Sequence, residues 1–184
     1  MPKPILILAA FLGCLMGAGG ANALTLSSPD INPAGRIAQG QVFNRLGCSG
    51  GNISPVLNWL GAPKGTKSFA LSVYDPDAAT RKSFWHWVIF NIPPNVFSLR
   101  RGAGDPRSDA VPDGAVQIRT DFGAAGYVGP CQPRGAKPHR YLFTIFAVDV
   151  DKLDADEKAS PGFVAFNLHF HTLAEAQLMS VWGR

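Results

Sequence analysis

Apolar and polar positions alternate along this chain in short runs, which is typical of β-strands and not of long helices. Residues 139–150 carry β-branched and aromatic side chains throughout and predict the strongest strand. Residues 85–92 are apolar on both faces, which predicts a central, buried strand. The pattern predicts further short strands within residues 24–33, 41–43, 57–59, 67–74 and 116–120. These segments together indicate a mostly antiparallel β-domain.

One segment near the C-terminal end has the pattern of a helix. Ser160 is the predicted N-cap and Pro161 the predicted first helical residue. The next residues give a one-sided apolar face, typical of a helix that packs on a core. That face consists of Phe163, Val164, Phe166, Asn167 and Phe170. Residues 172–182 fit neither the helical nor the strand period.

The first 23 residues predict a secretory signal peptide. Lys3 gives a positive start, residues 5–16 are mostly apolar, and residues 21–23 have the A-x-A form of a cleavage site. An uncleaved membrane anchor and a lipid attached at Cys14 are the alternatives. We expect a periplasmic or secreted protein, with one domain over residues 24–184 and no transmembrane segment after signal removal.

The charge of the remaining chain argues against a nucleic-acid partner. Removing Lys3 leaves 16 of the 17 basic residues against 13 acidic residues, a net charge of +3. The basic residues are scattered, whereas a nucleic-acid surface needs a basic stripe with interleaved aromatic residues.

Two cysteines, Cys48 and Cys131, remain after the predicted signal peptide. An even count in an exported protein favours one disulfide. The alternative is a pair of free cysteines near a site.

Histidines and aspartates stand where strands meet loops. His86 interrupts the central apolar strand, and His139 opens the strongest strand directly after a loop rich in glycine and proline. Asp75 and Asp77 follow the strand predicted over residues 67–74. Pocket residues often lie at such strand ends. Each residue also has a purely structural alternative: the histidines as hydrogen-bonded core residues and the aspartates as turn formers.

Four motifs resemble those of the phosphatidylethanolamine-binding protein family, which includes the Raf kinase inhibitor proteins. Residues 52–59 (NISPVLNW) resemble its N-x-S-P-x-L-x-W motif, and residues 75–78 (DPDA) its D-P-D-A-P motif. Residues 86–93 (HWVIFNIP) resemble H-W-x-x-x-N-I-P, and residues 129–141 resemble G-x-x-P-P-x-G-x-x-H-R-Y. The four occur in the family's order, and residues 120–123 and 166–171 look most like its bacterial branch.

The resemblance implies a β-sandwich-like fold with a large antiparallel sheet and few short helices, and a late strand over residues 172–182. It also implies a small pocket for phosphate-type anions, including phospholipid head groups. The implied lining is Asp75, His86, His139 and Tyr141, supported by Asp77, Gly129 and Pro133. A homodimer is a further expectation from the bacterial branch. The family pattern departs at Ala79 and Gln132, where it has proline. The first change removes a proline from the pocket edge, and the second predicts a more polar pocket wall.

The chemistry of these residues suits an anion. His86, His139 and Tyr141 supply donors, and glycine-loop N–H groups can complete a cradle. We expect Asp75 to raise the pKa of a neighbouring histidine, so that anion affinity strengthens as the pH falls below about 7. This indicates a binding protein that performs no chemistry and needs no cofactor or metal.

Three alternatives stay open. One is a surface-acting inhibitor of a protease or a host signalling protein, and another is an Asp/His phosphoester hydrolase. A zinc site at His169 and His171 is the third, although i and i+2 side chains face apart on a helix.

Overall fold

The structure is a computed structural model and describes residues 23–78 and 84–184. The predicted signal peptide, residues 1–23, lies outside the described residues except for Ala23. Ala79, where the family pattern departs, lies outside them as well. No helix within the described ranges is long and apolar enough to cross a membrane.

Strands dominate the described part of the chain. In chain order the elements are β1 (Thr25–Ser27), β2 (Leu57–Leu60), β3 (Ser68–Asp75), β4 (Phe84–Ile92), β5 (Ser98–Leu99), β6 (Val116–Gln117), β7 (His139–Val148), α1 (Pro161–His171) and β8 (Thr172–Trp182). One sheet has the order β1-β2-β5 and the other β6-β4-β3-β7-β8. All these pairings are antiparallel, which confirms the predicted mainly β fold with a large antiparallel sheet.

The main core fills the space between the two sheets. Phe69, Leu71 and Val73 alternate along β3 and join one buried cluster with Trp59 of the small sheet. Successive strand residues point to opposite faces, so every second residue of β3 belongs to this inner row. Asp75 stands two positions beyond Val73 and is buried as well. The inner row therefore consists of apolar residues followed by the carboxylate of Asp75 at the end of the strand.

Helix α1 covers part of the other face of the large sheet. Ser160 accepts a hydrogen bond from the Phe163 N–H over 3.2 Å, and the helix begins at Pro161, as predicted. The predicted apolar face was wrong in part. Val164 and Leu168 are the buried residues of α1, whereas Phe166 is 60% exposed and Phe163 and Phe170 are exposed too. The helix is apolar on nearly all sides, so its periodicity could not select the inward face.

The C-terminal residues form the late strand that the family resemblance implied. Strand β8 pairs with β7 from Trp182 opposite His139 to Thr172 opposite Val148. Residues 41–43, predicted as a strand, instead form turns, with the Gln41 N–H donating to the Ala38 carbonyl over 3.0 Å. These residues pack closely against the loop at Gly129 and belong to no strand.

A disulfide joins Cys48 to Cys131 with a Cα–Cα distance of 6.0 Å, which confirms the favoured pairing. It links the loop before Gly50 to the loop before His139. Arg184 joins the same two loops, because its Nε donates to the Gln132 carbonyl over 2.7 Å and its Nη1 to the Gly47 carbonyl over 2.6 Å. Two independent connections therefore hold these loops together.

Candidate anion-binding site

Asp75 and His139 meet at neighbouring strand ends of the large sheet. The Nδ1 atom of His139 lies 2.7 Å from Oδ2 of Asp75. A carboxylate oxygen can only accept when ionised, so the imidazole carries its proton on Nδ1. The other Asp75 oxygen accepts the Asp77 N–H over 2.8 Å. Both carboxylate oxygens therefore have donors, which a buried carboxylate requires.

A β-bulge sets the position of His86. Val73 pairs with Trp87 and Tyr74 with Trp85, so the pairing skips the residue between the two tryptophans. Trp87 lies in the core between the sheets, whereas Trp85 packs with the cluster beneath α1. The extra residue reorients the side chain, as bulges do near functional sites. His86 thereby lies beside Tyr141, with 5.1 Å between ring centroids.

Burial keeps His86 neutral. Its Nδ1 lies 2.7 Å from the Val128 carbonyl oxygen, and since a carbonyl only accepts, Nδ1 carries the proton. Burial lowers the pKa of His86 below its ordinary value, although the Val128 carbonyl and the nearby Asp75 carboxylate act in the opposite direction. No described residue bonds to the Nε2 atom of either His86 or His139. Each ring thus retains one nitrogen for a ligand.

Tyr141 adds a hydroxyl to the cluster of Asp75, His86 and His139. It is buried on β7, and burial raises its pKa well above the ordinary value, with the Asp75 carboxylate adding to the effect. The hydroxyl therefore stays protonated at any physiological pH and remains a donor.

Asp77 lies at the edge of this group and binds Arg140. Its carboxylate receives Arg140 Nε over 2.8 Å, Nη2 over 2.7 Å and the Arg140 backbone N–H over 2.9 Å. These bonds lower the pKa of Asp77 to about 2. Arg140 was named in the H-R-Y motif, but its pattern alone gave it no role. The pair ties the strand end at Asp75 to the start of β7.

Gly129 supports the site by allowing close packing. A Cβ at this position would lie 2.0 Å from the Gln41 carbonyl oxygen. Its N–H donates to Asn52 Oδ1 over 2.8 Å, so this amide is not available for an anion cradle. Asn52 stands in the N-x-S-P motif, and this contact gives that residue its structural role.

Pro133 and Gln132 lie in the loop before β7. Pro133 is exposed, whereas Gln132 is buried and donates its side-chain N–H to the Trp182 carbonyl. The Gln132 carbonyl-type oxygen Oε1 has no hydrogen-bond partner among the described residues. The side chain of Gln132, from which a more polar pocket wall was predicted, is therefore directed into the protein.

Aromatic rings surround His86 on its open side. Phe122 lies 5.7 Å from the His86 ring and 4.7 Å from Phe84, and Phe43 lies 5.3 Å from Phe122, measured between centroids. The sequence patterns gave no role to these phenylalanines, because Phe43 and Phe122 lie outside the strands and Phe84 stands at the first position of β4.

The structure thus brings Asp75, His86, His139 and Tyr141 together, with Asp77 at the edge and Gly129 behind. The other two histidines lie elsewhere. His171 contacts Asp149 over 2.9 Å, and His169 lines a groove beside α1. Within the described ranges no group of three or more histidine, cysteine or acidic residues could hold a metal ion.

Comparison with known proteins identifies the family. The family described as "Phosphatidylethanolamine-binding protein" matches residues 27–183, and the chain belongs to it. The UPF0098 protein YbhB of Escherichia coli (strain K12) is 45% identical over 160 residues, covering 87% of this chain and 100% of YbhB. The UPF0098 protein YbcL of the same strain is 41% identical over 177 residues, covering 96% and 97%. The chain lies on the bacterial branch, as its motifs indicated.

Solved structures agree with this assignment. The crystal structure of E. coli YbcL, described as a new member of the mammalian family, superposes with a TM-score of 0.86 at 41% identity, covering 89% of this chain and 99% of YbcL. A homologue from Chlamydia trachomatis, CT736, superposes with a TM-score of 0.74 at 30% identity, with the same coverage of both chains.

Proposed function

We propose that this protein is an exported binding protein for a small phosphate-type anion or a phospho-head-group, such as that of phosphatidylethanolamine. The observation that carries the proposal is the pair of imidazole rings, each fixed through Nδ1 and each with Nε2 unbonded among the described residues. Two histidines held in this way beside a buried tyrosine hydroxyl form a compact polar group in an otherwise apolar strand end.

The two imidazoles offer different chemistry. The ring of His139 faces a carboxylate, so a protonated imidazole there gains a charge-assisted bond and presents an N–H at Nε2. The ring of His86 is neutral and presents a lone pair at Nε2. A monoprotonated phosphate or phosphate monoester satisfies both, because one of its oxygens accepts and its P–OH donates.

Binding without turnover is part of the proposal. The alternative, an Asp/His phosphoester hydrolase, would need a nucleophile or an activated water beside these rings. The family is named for binding, and this favours a binding protein. A panel of phosphoesters incubated with the protein separates the two, because turnover that disappears in His86→Ala would support the hydrolase.

The experiment is calorimetric titration of residues 24–184 with phosphate and phosphoethanolamine. His139→Gln should weaken binding by ten-fold or more, because it removes the imidazole that Asp75 holds. The matched control is His171→Gln, which breaks a second histidine–aspartate contact outside the site and should leave affinity unchanged. Equal affinity in wild-type and His139→Gln protein would refute the site.

Location, partner and assembly complete the proposal. We expect residues 1–23 to direct export to the periplasm or the medium. The competing function is inhibition of a protease or host signalling protein through the surface, and inhibition that survives Asp75→Ala and His86→Ala would favour it.

A homodimer is supported by three exposed phenylalanines on one face of α1, here called the Phe ridge: Phe163, Phe166 and Phe170.

A further inference from the structure

A second concave feature lies on the outer face of the large sheet, away from the candidate anion site. It is a groove of about 300 Å³ between helix α1 and the strands beneath it, here called the α1 groove. Most of its lining side chains are apolar, including Trp85, Val88, Phe146, Val164 and Leu168. This volume is at the lower end of the range for small-molecule sites, which suits a ligand built on a single ring.

Ser72 lies at the floor of the α1 groove. It stands on β3 in the middle of the large sheet, where it pairs with Val88 of β4 and with Thr144 of β7. The residue is 4% exposed, and its hydroxyl makes no hydrogen bond to any residue in the described part of the chain. The other buried serines and threonines there all have a partner: Ser54, Ser68, Thr120, Thr144 and Ser180. A buried hydroxyl without a partner is costly, so Ser72 requires an explanation.

Aromatic side chains stand on both sides of Ser72. Trp85 lies on β4 and Phe146 on β7, which are the two strands that pair with β3. Both side chains line the groove and are only half-buried, so each retains surface that a ligand can cover. Val164 and Leu168 of α1 line the groove from the helix side. A flat apolar ring placed here would therefore contact apolar side chains from both the sheet and the helix.

The rim and floor of the α1 groove favour a neutral ligand. Two polar side chains stand at the rim, namely His169 and Glu175, and both are exposed. No lysine or arginine of the described ranges lines the groove, so an anion would meet the carboxylate of Glu175 without a compensating fixed cation. A peptide cannot add to the floor as a strand, because β3, β4 and β7 are already paired on both sides.

We infer that the α1 groove binds a small neutral aromatic molecule that carries one hydroxyl group, a ligand of the phenol class. The ring lies between Trp85 and Phe146, and its hydroxyl bonds to Oγ of Ser72. The ligand thus supplies the partner that the Ser72 hydroxyl lacks among the described residues. This site lies on the opposite face of the sheet from Asp75 and His139, and the inference does not rest on the proposed function.

The test compares phenol with toluene, which has nearly the same size and shape but no hydroxyl. Calorimetric titration measures both affinities in the wild type, in Ser72→Ala and in the matched control Ser68→Ala. Ser68 is a buried serine on the same strand, but its hydroxyl donates to the Val150 carbonyl over 2.7 Å. One hydrogen bond gives about a five-fold change in affinity. The ratio of phenol affinity to toluene affinity should therefore fall about five-fold in Ser72→Ala and stay unchanged in Ser68→Ala.

Protein labelled with ¹⁵N in histidine locates the bound phenol. The ring signals of His169, at the rim of the α1 groove, should shift in a saturable manner, and those of His139 should stay in place. An affinity ratio that is the same in Ser72→Ala and in the wild type would overturn the inference, as would no binding of phenol at millimolar concentration. Shifts confined to His86 and His139 would also overturn it, because phenol would then occupy the anion site.

Discussion

His139 donates its Nδ1 proton to Asp75 across 2.7 Å, and this bond joins the start of β7 to the end of β3. Asp75 also accepts the Asp77 N–H, so the carboxylate cannot turn away without losing a second bond. The imidazole is fixed in place with Nε2 as its remaining nitrogen. Nε2 is therefore the atom through which His139 can contact a ligand, on the side of the ring away from Asp75.

This relationship predicts how anion affinity depends on pH. Sulfate is a useful probe, because it does not change charge between pH 5 and 8. We expect its affinity to rise as the pH falls, since each added proton supplies a donor and a positive charge. In Asp75→Asn the carboxylate that holds the His139 ring is lost, and affinity should fall by about ten-fold. Calorimetry at several pH values measures this. Asp149→Asn serves as the control, and a flat wild-type profile would contradict the account.

His86 predicts a second pH effect, on stability. Burial lowers its pKa, so the folded protein holds it neutral while the unfolded chain protonates it near pH 6.5. The stabilisation that buried, neutral His86 gives the folded protein is therefore complete above about pH 6.5, and it is lost as the pH falls below that value. In His86→Gln, urea unfolding should show a smaller loss of stability between pH 7 and 5 than in the wild type. If the unfolding free energy of the two proteins changed with pH by the same amount, His86 would take up a proton as readily in the folded protein as in the unfolded chain.

The disulfide should stabilise the fold substantially. Cys48 and Cys131 are 83 positions apart, and a cross-link of that span restricts the unfolded chain strongly. The Cys48→Ser, Cys131→Ser double variant should lose about 2–4 kcal/mol of unfolding free energy in urea. A loss well below about 1 kcal/mol would mean that Arg184 alone holds the two loops together.

Gly129 should tolerate no side chain. An added Cβ would lie 2.0 Å from the Gln41 carbonyl oxygen, so Gly129→Ala should cost about 2 kcal/mol or more. Gly162→Ala is the control, because nothing lies within 4 Å of its Cβ and alanine favours the helix. Thermal unfolding of both variants and of the wild type measures the difference in stability. A Gly129→Ala protein as stable as the wild type would exclude the close packing described for this loop.

The Phe ridge predicts self-association. Phe166 and Phe170 stack edge to face at 5.0 Å, and both side chains are exposed. An exposed apolar patch suits a two-fold interface, in which the Phe ridge of one copy packs against that of the other. Light scattering should give the mass of two chains for the wild type and of one for Phe166→Glu. A monomeric wild type, or a dimer that persists in the variant, would rule this face out.

The two central strands were readable from the sequence because a run of apolar, β-branched and aromatic residues is a local property. Residues 139–148 and 84–92 are such cases. The inward face of α1 was not readable, because phenylalanines occupy its outer side and the helix carries no polar stripe to mark it. Residues 41–43 failed for a related reason, since burial against a glycine loop imitates the pattern of a strand.

For the candidate site, the residue types could be predicted from motifs, but their geometry could not. Nothing in residues 84–92 indicates that a bulge turns His86 toward Tyr141, because a bulge depends on the pairing partner. Glycine-loop N–H groups were expected to complete an anion cradle, yet the N–H of Gly129 donates to Asn52 Oδ1 across 77 positions of sequence.

The central claim is that an anion lies against His86 and His139, and histidine-selective NMR tests it most directly. The chain has four histidines, so protein labelled with ¹⁵N in histidine gives a spectrum that single variants can assign. Phosphate should shift the ring signals of His86 and His139 in a saturable manner and leave those of His169 and His171 in place. Shifts confined to His169 and His171, or none at millimolar phosphate, would contradict the account.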